Sequence, residues 1–236
     1  MAPQSTAIFG IVRTDCAQCQ SPKGKSRGSL LRERKLVTFC LHALLLLMEP
    51  KRCSWAKDPL LIEYHDTEWG VPSHEDHRLF ELIVLESMQS GLSWLTILRK
   101  RQAFRAAFFG FDPAKIAKFG SKQIDNLLAN PGIIRNRAKV EAAVTNAQAT
   151  LKVQQIFGSL DSFLWNLVDG KPVINHWTDS NQIPAKTSLS ERLAKEFKAQ
   201  GFKFIGPTVA YAFMQAIGMV NDHETGCDRH KELGGD

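Results

Sequence analysis

Between Asp76 and Gln89 the chain carries an apolar run at helical spacing, and a carboxylate, Glu86, is set into its apolar row. Leu79, Leu82 and Ile83 stand seven, four and three residues before Glu86 and share its helix face. Val84 and Leu85 precede it directly, so no polar row accounts for the charge. Burying an unpaired carboxylate is expensive. Two readings are open: a short helix whose Glu86 points to water near its end, or a carboxylate with a task, since perturbed acids tend to mark sites. A helix with this much apolar surface needs partners around it, and the rest of the chain reads as helices.

Asp76 to Gln89 is one predicted helix, ended by Ser90-Gly91. Ser93 caps the next, in which Leu95, Leu98, Phe104 and Phe108 roughly keep a helical period. Asp112-Pro113 opens another by the cap-plus-proline rule. Ser121 to Ala129 is a short helix capped by Ser121, Asn130-Pro131-Gly132 is a turn, and a long Ala-rich helix runs from Arg135 to Val153. Ser159 to Val168 is amphipathic, Asp169-Gly170-Lys171-Pro172 is a turn, the stretch from there to Pro184 is irregular, Ser188 to Gln200 opens with Ser188 and Glu191 in capping-box spacing, and Thr208 to Ile217 is an apolar helix. No alternating strand block, repeat or P-loop occurs. The fold class is all-α.

Charge is distributed unevenly over the 236 residues. Residues 1–47 hold seven Lys/Arg against Asp15 and Glu33, leaving 23 basic against 22 acidic residues beyond. The formal net charge of +6 therefore belongs mostly to the N-terminal segment and says little about nucleic acid. That segment is a basic, poorly patterned extension with three readings: a transit peptide, a secretory signal, or upstream sequence before a start at Met48. The last is favoured, because the structured pattern begins at Met48, which sets the domain at 48–236. Cys16-Ala17-Gln18-Cys19 is a lone pair without further ligands and points to neither zinc nor redox chemistry. Five cysteines do not read as a secreted disulfide framework, and the apolar stretch Leu36 to Met48 is too short to cross a membrane.

Two constellations carry chemistry. Cys53 has His65 twelve residues on, and Cys227 has His223 four residues before it. Two thiols and two imidazoles make a closed tetrahedral set for one structural zinc that would staple the ends of the domain; the rival reading is two buried cysteines and two surface histidines. Basic residues form two groups, Arg99-Lys100-Arg101 with Arg105, and Arg135, Arg137 and Lys139 after the Pro-Gly turn. A helix, a turn and a second helix opening on cations would place backbone N–H groups and charge where a phosphate docks. The alternative is a solvated helix face.

The residues resemble the 3-methyladenine DNA glycosylase I family of bacterial base-excision repair, within the helix-hairpin-helix glycosylases. The resemblance rests on Arg52-Cys53-Ser54-Trp55, Asp58-Pro59-Leu60, Tyr64-His65-Asp66-Thr67-Glu68-Trp69-Gly70-Val71-Pro72, Gln89-Ser90-Gly91-Leu92-Ser93-Trp94, Gly132-Ile133-Ile134-Arg135-Asn136-Arg137, Gly201-Phe202-Lys203-Phe204-Ile205-Gly206 and Val220-Asn221-Asp222-His223. It implies a two-lobed, all-α fold around a base pocket, and one zinc on Cys53, His65, His223 and Cys227 far from the chemistry. It implies that Glu86 recognises the damaged base between Tyr64 and Trp94. Gly91-Leu92 would press into the gap left by the flipped nucleotide, with Arg135, Arg137 and Lys139 on phosphate. The expected activity is monofunctional hydrolytic release of 3-methyladenine from double-stranded DNA carrying the alkylated base, by a cytoplasmic monomer without a membrane. Leu61, Pro207 and a tail without further cysteines depart from the family pattern. A non-catalytic, zinc-stapled DNA-binding module is the competing class, and it would not need Glu86 and Trp94 together.

Overall fold

Ten consecutive residues, Leu79 to Met88, are buried in the helix Asp76–Gln89, which therefore has no solvent face along most of its length. A helix apolar all round belongs at the centre of a fold, and the other elements wrap it. The computed structural model describes residues 50–236. The readings of residues 1–47, of Cys16-Ala17-Gln18-Cys19 and of Met48 as a start lie outside the described residues.

In chain order the helices are α1 (Pro59–Thr67), α2 (Asp76–Gln89), α3 (Trp94–Ala107), α4 (Pro113–Ile116), α5 (Ser121–Ala129), α6 (Arg137–Phe157), α7 (Leu160–Trp165), α8 (Ser188–Ala199), α9 (Pro207–Ala216) and α10 (Asp228–Glu232). Central α2 packs against α3, α6, α7 and α9. Its first residue ties it to the α6–α7 corner, where the Asp76 carboxylate accepts the Leu160 and Asp161 backbone N–H groups and the Gln154 amide. Residues 50–236 form one compact unit. No helix among the described residues is long and apolar enough to cross a membrane.

The all-α expectation needs one amendment. Val173–Ile174 (β1) pairs in parallel with Val220–Asn221 (β2), in the register Val173↔Val220 and Ile174↔Asn221. Two residues per strand are too few to leave a period in the sequence. The pair brings Asn175 beside Asp222, whose Oδ1 accepts Asn175 Nδ2 at 2.6 Å and Trp177 Nε1 at 2.8 Å, while Oδ2 accepts Tyr211 Oη and Gln215 Nε2 at 2.7 Å each.

Several predicted ends shift. The long helix begins at Arg137, because Asn136 is extended and accepts the Lys139 N–H as N-cap. The cap of α8 is Thr187, boxed with Ser190, in place of Ser188 with Glu191. Glu191 instead pairs with Lys186 at 2.7 Å.

Candidate active site

A cavity of about 440 Å³ opens between α1, α2, the start of α3 and α9, within the size range of small-molecule sites. Tyr64, Trp69, Trp94 and Leu61 supply apolar walls, and Glu86 and Gln215 supply polar groups. The Tyr64 and Trp94 rings lie 5.3 Å apart between centroids and tilted by 51°. Ser93 sets Trp94 in place by capping α3, its hydroxyl accepting the Thr96 N–H.

Glu86 is 4% exposed, and its Oε2 has no hydrogen-bond partner. The reading that it points into solvent is corrected: α2 is buried through this position. Desolvation pushes its carboxyl up to about 8. Burial also lifts the Tyr64 phenol well above its ordinary value, and the neighbouring Glu86 charge adds to the effect. One and a half turns earlier on the same helix, Glu81 is also buried but amply partnered. Its carboxylate takes Arg101 Nε at 2.7 Å, Arg105 Nη2 at 3.0 Å and Arg78 Nη1 at 3.7 Å. Two carboxylates on one buried helix thus differ in kind: one is satisfied by three guanidiniums, the other is left to an aromatic cavity. The Trp94 indole Nε1 is also buried without a partner.

Behind the cavity, Cys53, His65, His223 and Cys227 converge, all buried, their ligand atoms within 4.8 Å of one another. Cys53 Sγ lies 3.5 Å from His223 Nδ1, and Cys227 Sγ lies 3.4 Å from His65 Nε2 and 3.7 Å from His223 Nδ1. A tetrahedral ion with sulfur and nitrogen ligands separates those atoms by about 3.5 Å, so the spacing fits. The outward nitrogens are engaged: His65 Nδ1 with the Asp66 carboxylate at 2.7 Å, His223 Nε2 with the Trp69 carbonyl at 3.1 Å. Such partners turn the lone pairs of the other nitrogens inward. Hydrogen bonding between the thiols pushes Cys53 up and Cys227 down, and both histidines help hold Cys227 down. The close approach needs Gly70, with φ +76°, because a Cβ there would meet His223 Nε2 at 2.8 Å.

The expectation that this cluster lies far from the chemistry is corrected. Trp69 and Trp55 both line the cavity, and Trp69 sits 4.7 Å from the His223 ring while Trp55 sits 5.3 Å from that of His65. A single aromatic layer separates ligand set and pocket.

On the DNA-facing expectations, Gly91 has φ +79° and Leu92 is 42% exposed at the turn between α2 and α3. Arg135 and Arg137 are exposed, and Arg137 bonds Asp125 at 2.7 Å across the α5–α6 turn. Lys139 is corrected. It is buried, and its ammonium donates to the Met88 carbonyl at 2.9 Å and the Ser90 carbonyl at 2.5 Å, because one turn into α6 its side chain faces the end of α2. The basic group on α3 is corrected as well. Arg101 and Arg105 serve Glu68 and Glu81, Arg99 pairs with Asp58 at 3.2 Å, and Lys100 donates to the Pro131 carbonyl at 2.9 Å.

Sequence reasoning missed Gln215, Trp55 and Trp69 as pocket residues. Gln215 carried a usable signal: it is a lone amide in an otherwise apolar helix, as Glu86 is a lone acid in its row.

Comparison with known proteins places this geometry. A family model described as methyladenine glycosylase matches residues 54–230. The DNA-3-methyladenine glycosylase 1 of Escherichia coli is 46% identical over 178 residues, spanning 75% of this chain and 95% of that protein. The DNA-3-methyladenine glycosylase of Haemophilus influenzae is 46% identical over 177 residues, 75% and 96% of the two chains. A crystal structure of 3-methyladenine DNA glycosylase I superposes with a TM-score of 0.74 at 49% identity, covering 75% of this chain and 98% of that one. The Staphylococcus aureus 3-methyladenine DNA glycosylase I, solved for the structural basis of its 3-methyladenine recognition, gives 0.71 at 40% identity, covering 73% and 92%. Matched by the family model over residues 54–230 and by these relatives over 75% of its length, the chain belongs to the methyladenine glycosylase family.

Proposed function

We propose that this chain excises 3-methyladenine from alkylated DNA by hydrolysing the N-glycosidic bond and leaving an abasic site, the activity for which its relatives are named. The observation that carries the site is Glu86, an orphaned carboxyl in an aromatic cavity on the same helix as the fully paired Glu81. Adenine methylated at N3 within DNA is cationic and is already a good leaving group. The protein's main task is to find the base and hold it.

The cationic ring stacks on the wall that Tyr64 and Trp94 form together, where cation–π attraction favours it over the neutral base. Glu86 ionises as the cation enters and accepts hydrogen bonds from the adenine edge. Among the described residues no cation pairs with Glu86, so the ligand supplies the missing charge. As the bond breaks the base loses its charge, and a stronger clamp would oppose departure. Glu86 therefore selects and positions, and the flanking phosphates and a bound water stabilise the sugar cation. Two solved relatives, equally identical to this chain, carry a tyrosine-to-phenylalanine and a glutamate-to-glutamine replacement, twenty-two positions apart; the first is bound to 3-methyladenine. Tyr64 and Glu86 stand the same distance apart, which supports their pairing at the base.

The remaining assignments complete the reading. The α5–α6 pair acts as a helix-hairpin-helix unit on double-stranded DNA, with Arg135 and Arg137 on phosphate. Gly91-Leu92 fills the gap when the base is flipped, a step costing a few kcal/mol. Cys53, His65, His223 and Cys227 hold one zinc, which supplies rigidity: all four positions of a tetrahedral ion would be filled by protein, leaving none for water. The chain acts as a cytoplasmic monomer, and residues 48–236 suffice for it. The test is release of free 3-methyladenine from methylated duplex DNA by a chain starting at Met48, native beside Glu86→Gln. Release by the native chain and its loss in the variant are expected. A folded, metal-loaded protein that releases nothing would leave a DNA-binding module.

A further inference from the structure

Lys139 is a buried cation that the excision chemistry does not use, and it faces the one turn on which base exposure depends. The last carbonyls of any helix lack intrahelical partners and carry the negative end of its dipole. At the end of α2 those groups include the Met88 carbonyl and the Ser90 carbonyl just beyond it, and the Lys139 ammonium reaches both, at 2.9 and 2.5 Å. These two carbonyls lie within the short segment between Glu86 and the exposed Leu92. Lys139 itself comes from the first turn of α6, directly after Arg135 and the Asn136 cap. The opposite side of the α5–α6 turn is braced too: Lys100 of α3 donates to the Pro131 carbonyl, and a Cβ on Gly132 would lie 2.9 Å from the Ala103 side chain. Phosphate-facing turn, base-exposing turn and base-reading helix thus meet through one ammonium.

We propose that Lys139 is a positioning residue that fixes the Gly91-Leu92 turn and the end of α2 to the α5–α6 turn, so that docking on the phosphates drives Leu92 into the stack in register with Glu86. It touches neither base nor phosphate. The inference rests on the glycosylase reading above. Its signature lies in the difference between a base that must be pushed from the stack and one already unstacked, because extrusion costs least for a poorly paired base.

The experiment compares single-turnover excision by the full chain on two methylated duplexes, one with the lesion opposite thymine and one with it opposite an abasic analogue. Lys139→Met keeps the length of the side chain and removes its donors. On the paired duplex it should lose roughly 100-fold, the scale of an ångström-level misplacement, while the unpaired duplex loses far less and affinity for undamaged duplex hardly changes. Lys139→Arg, which retains a cation able to reach the same carbonyls, should recover most of the rate. Equal losses on both duplexes would reduce Lys139 to a prop for the fold. A loss confined to affinity for undamaged duplex would return it to phosphate, and an unchanged rate would remove it altogether. If Lys139→Met does not fold, Lys139→Gln, with an amide donor in reach of one carbonyl, is read on the same pair. A native chain silent on both duplexes overturns the glycosylase reading, and this inference falls with it.

Discussion

Glu86 makes the protein sensitive to pH in two separable ways. Folded Glu86 keeps its proton up to about pH 8, whereas an ordinary glutamic acid loses it near 4.5. The folded state therefore binds the extra proton between those values, and the stability this contributes is complete below about 4.5 and lost as pH rises through about 8. Glu86→Gln cannot ionise. Its unfolding free energy relative to the native chain should rise by a few kcal/mol between about pH 5 and 9, read by denaturant titration at each pH; a constant difference would mean that Glu86 is not held protonated. Excision has the opposite slope. The native rate should climb from about pH 6 to 8 as the carboxylate forms, and Glu86→Gln should show no such limb and a strongly reduced rate throughout. At this scale the sequence was informative, since a lone acid in an apolar row announced itself. It could not distinguish Glu86 from Glu81, because what separates them is chiefly two arginines brought from α3, Arg101 and Arg105, twenty or more residues away, which join Arg78 of the same helix at Glu81.

The proposed contact with DNA belongs to the scale of elements. Arg135 is exposed at the approach to α6, so Arg135→Ala should weaken duplex binding uniformly across sequences and lower the salt slope by about one. Arg137 starts from a different position, because Asp125 already pairs with it at 2.7 Å. Asp125→Asn should therefore tighten duplex binding in the same titration, and a weaker complex would show that Asp125 orients the arginine instead of competing for it. A second element-scale prediction concerns Asp222, which takes four donors, two from the segment after β1 and two from α9. Asp222→Asn would turn an amide N–H toward one of them, at a cost of about 2–4 kcal/mol seen as a lower melting temperature. The bounds of α2 and the Ser93 cap of α3 were legible, because period and cap agreed there. The parallel strand pair and the position of Lys139 were not, since both depend on partners roughly fifty residues away.

Across the whole molecule the Cys/His cluster joins residues 170 apart. On the proposed zinc occupancy, a chelator should lower the melting temperature by roughly 10 °C or more and release one zinc per chain. Excision should fall with it, because Trp69 leans on His223 from the pocket side; full activity without metal would sever pocket from cluster. The four Cys/His residues were legible as a set from spacing and residue type, but their nearness to the aromatic cavity was not, because Trp55 and Trp69 carry no mark in sequence that says which two surfaces they separate.

The cluster also dictates an order of assembly. Synthesis proceeds from the N-terminus, and early elements collapse while later ones are unmade. Cys53 and His65 emerge first, yet their partners His223 and Cys227 follow them by 170 and 162 residues. Until those leave the ribosome, the aromatic wall behind Tyr64 and Trp94 has nothing to lean on. The cavity is therefore completed only after His223 and Cys227 are made, and a nascent chain that stops short of them would hold Glu86 without a finished wall around it.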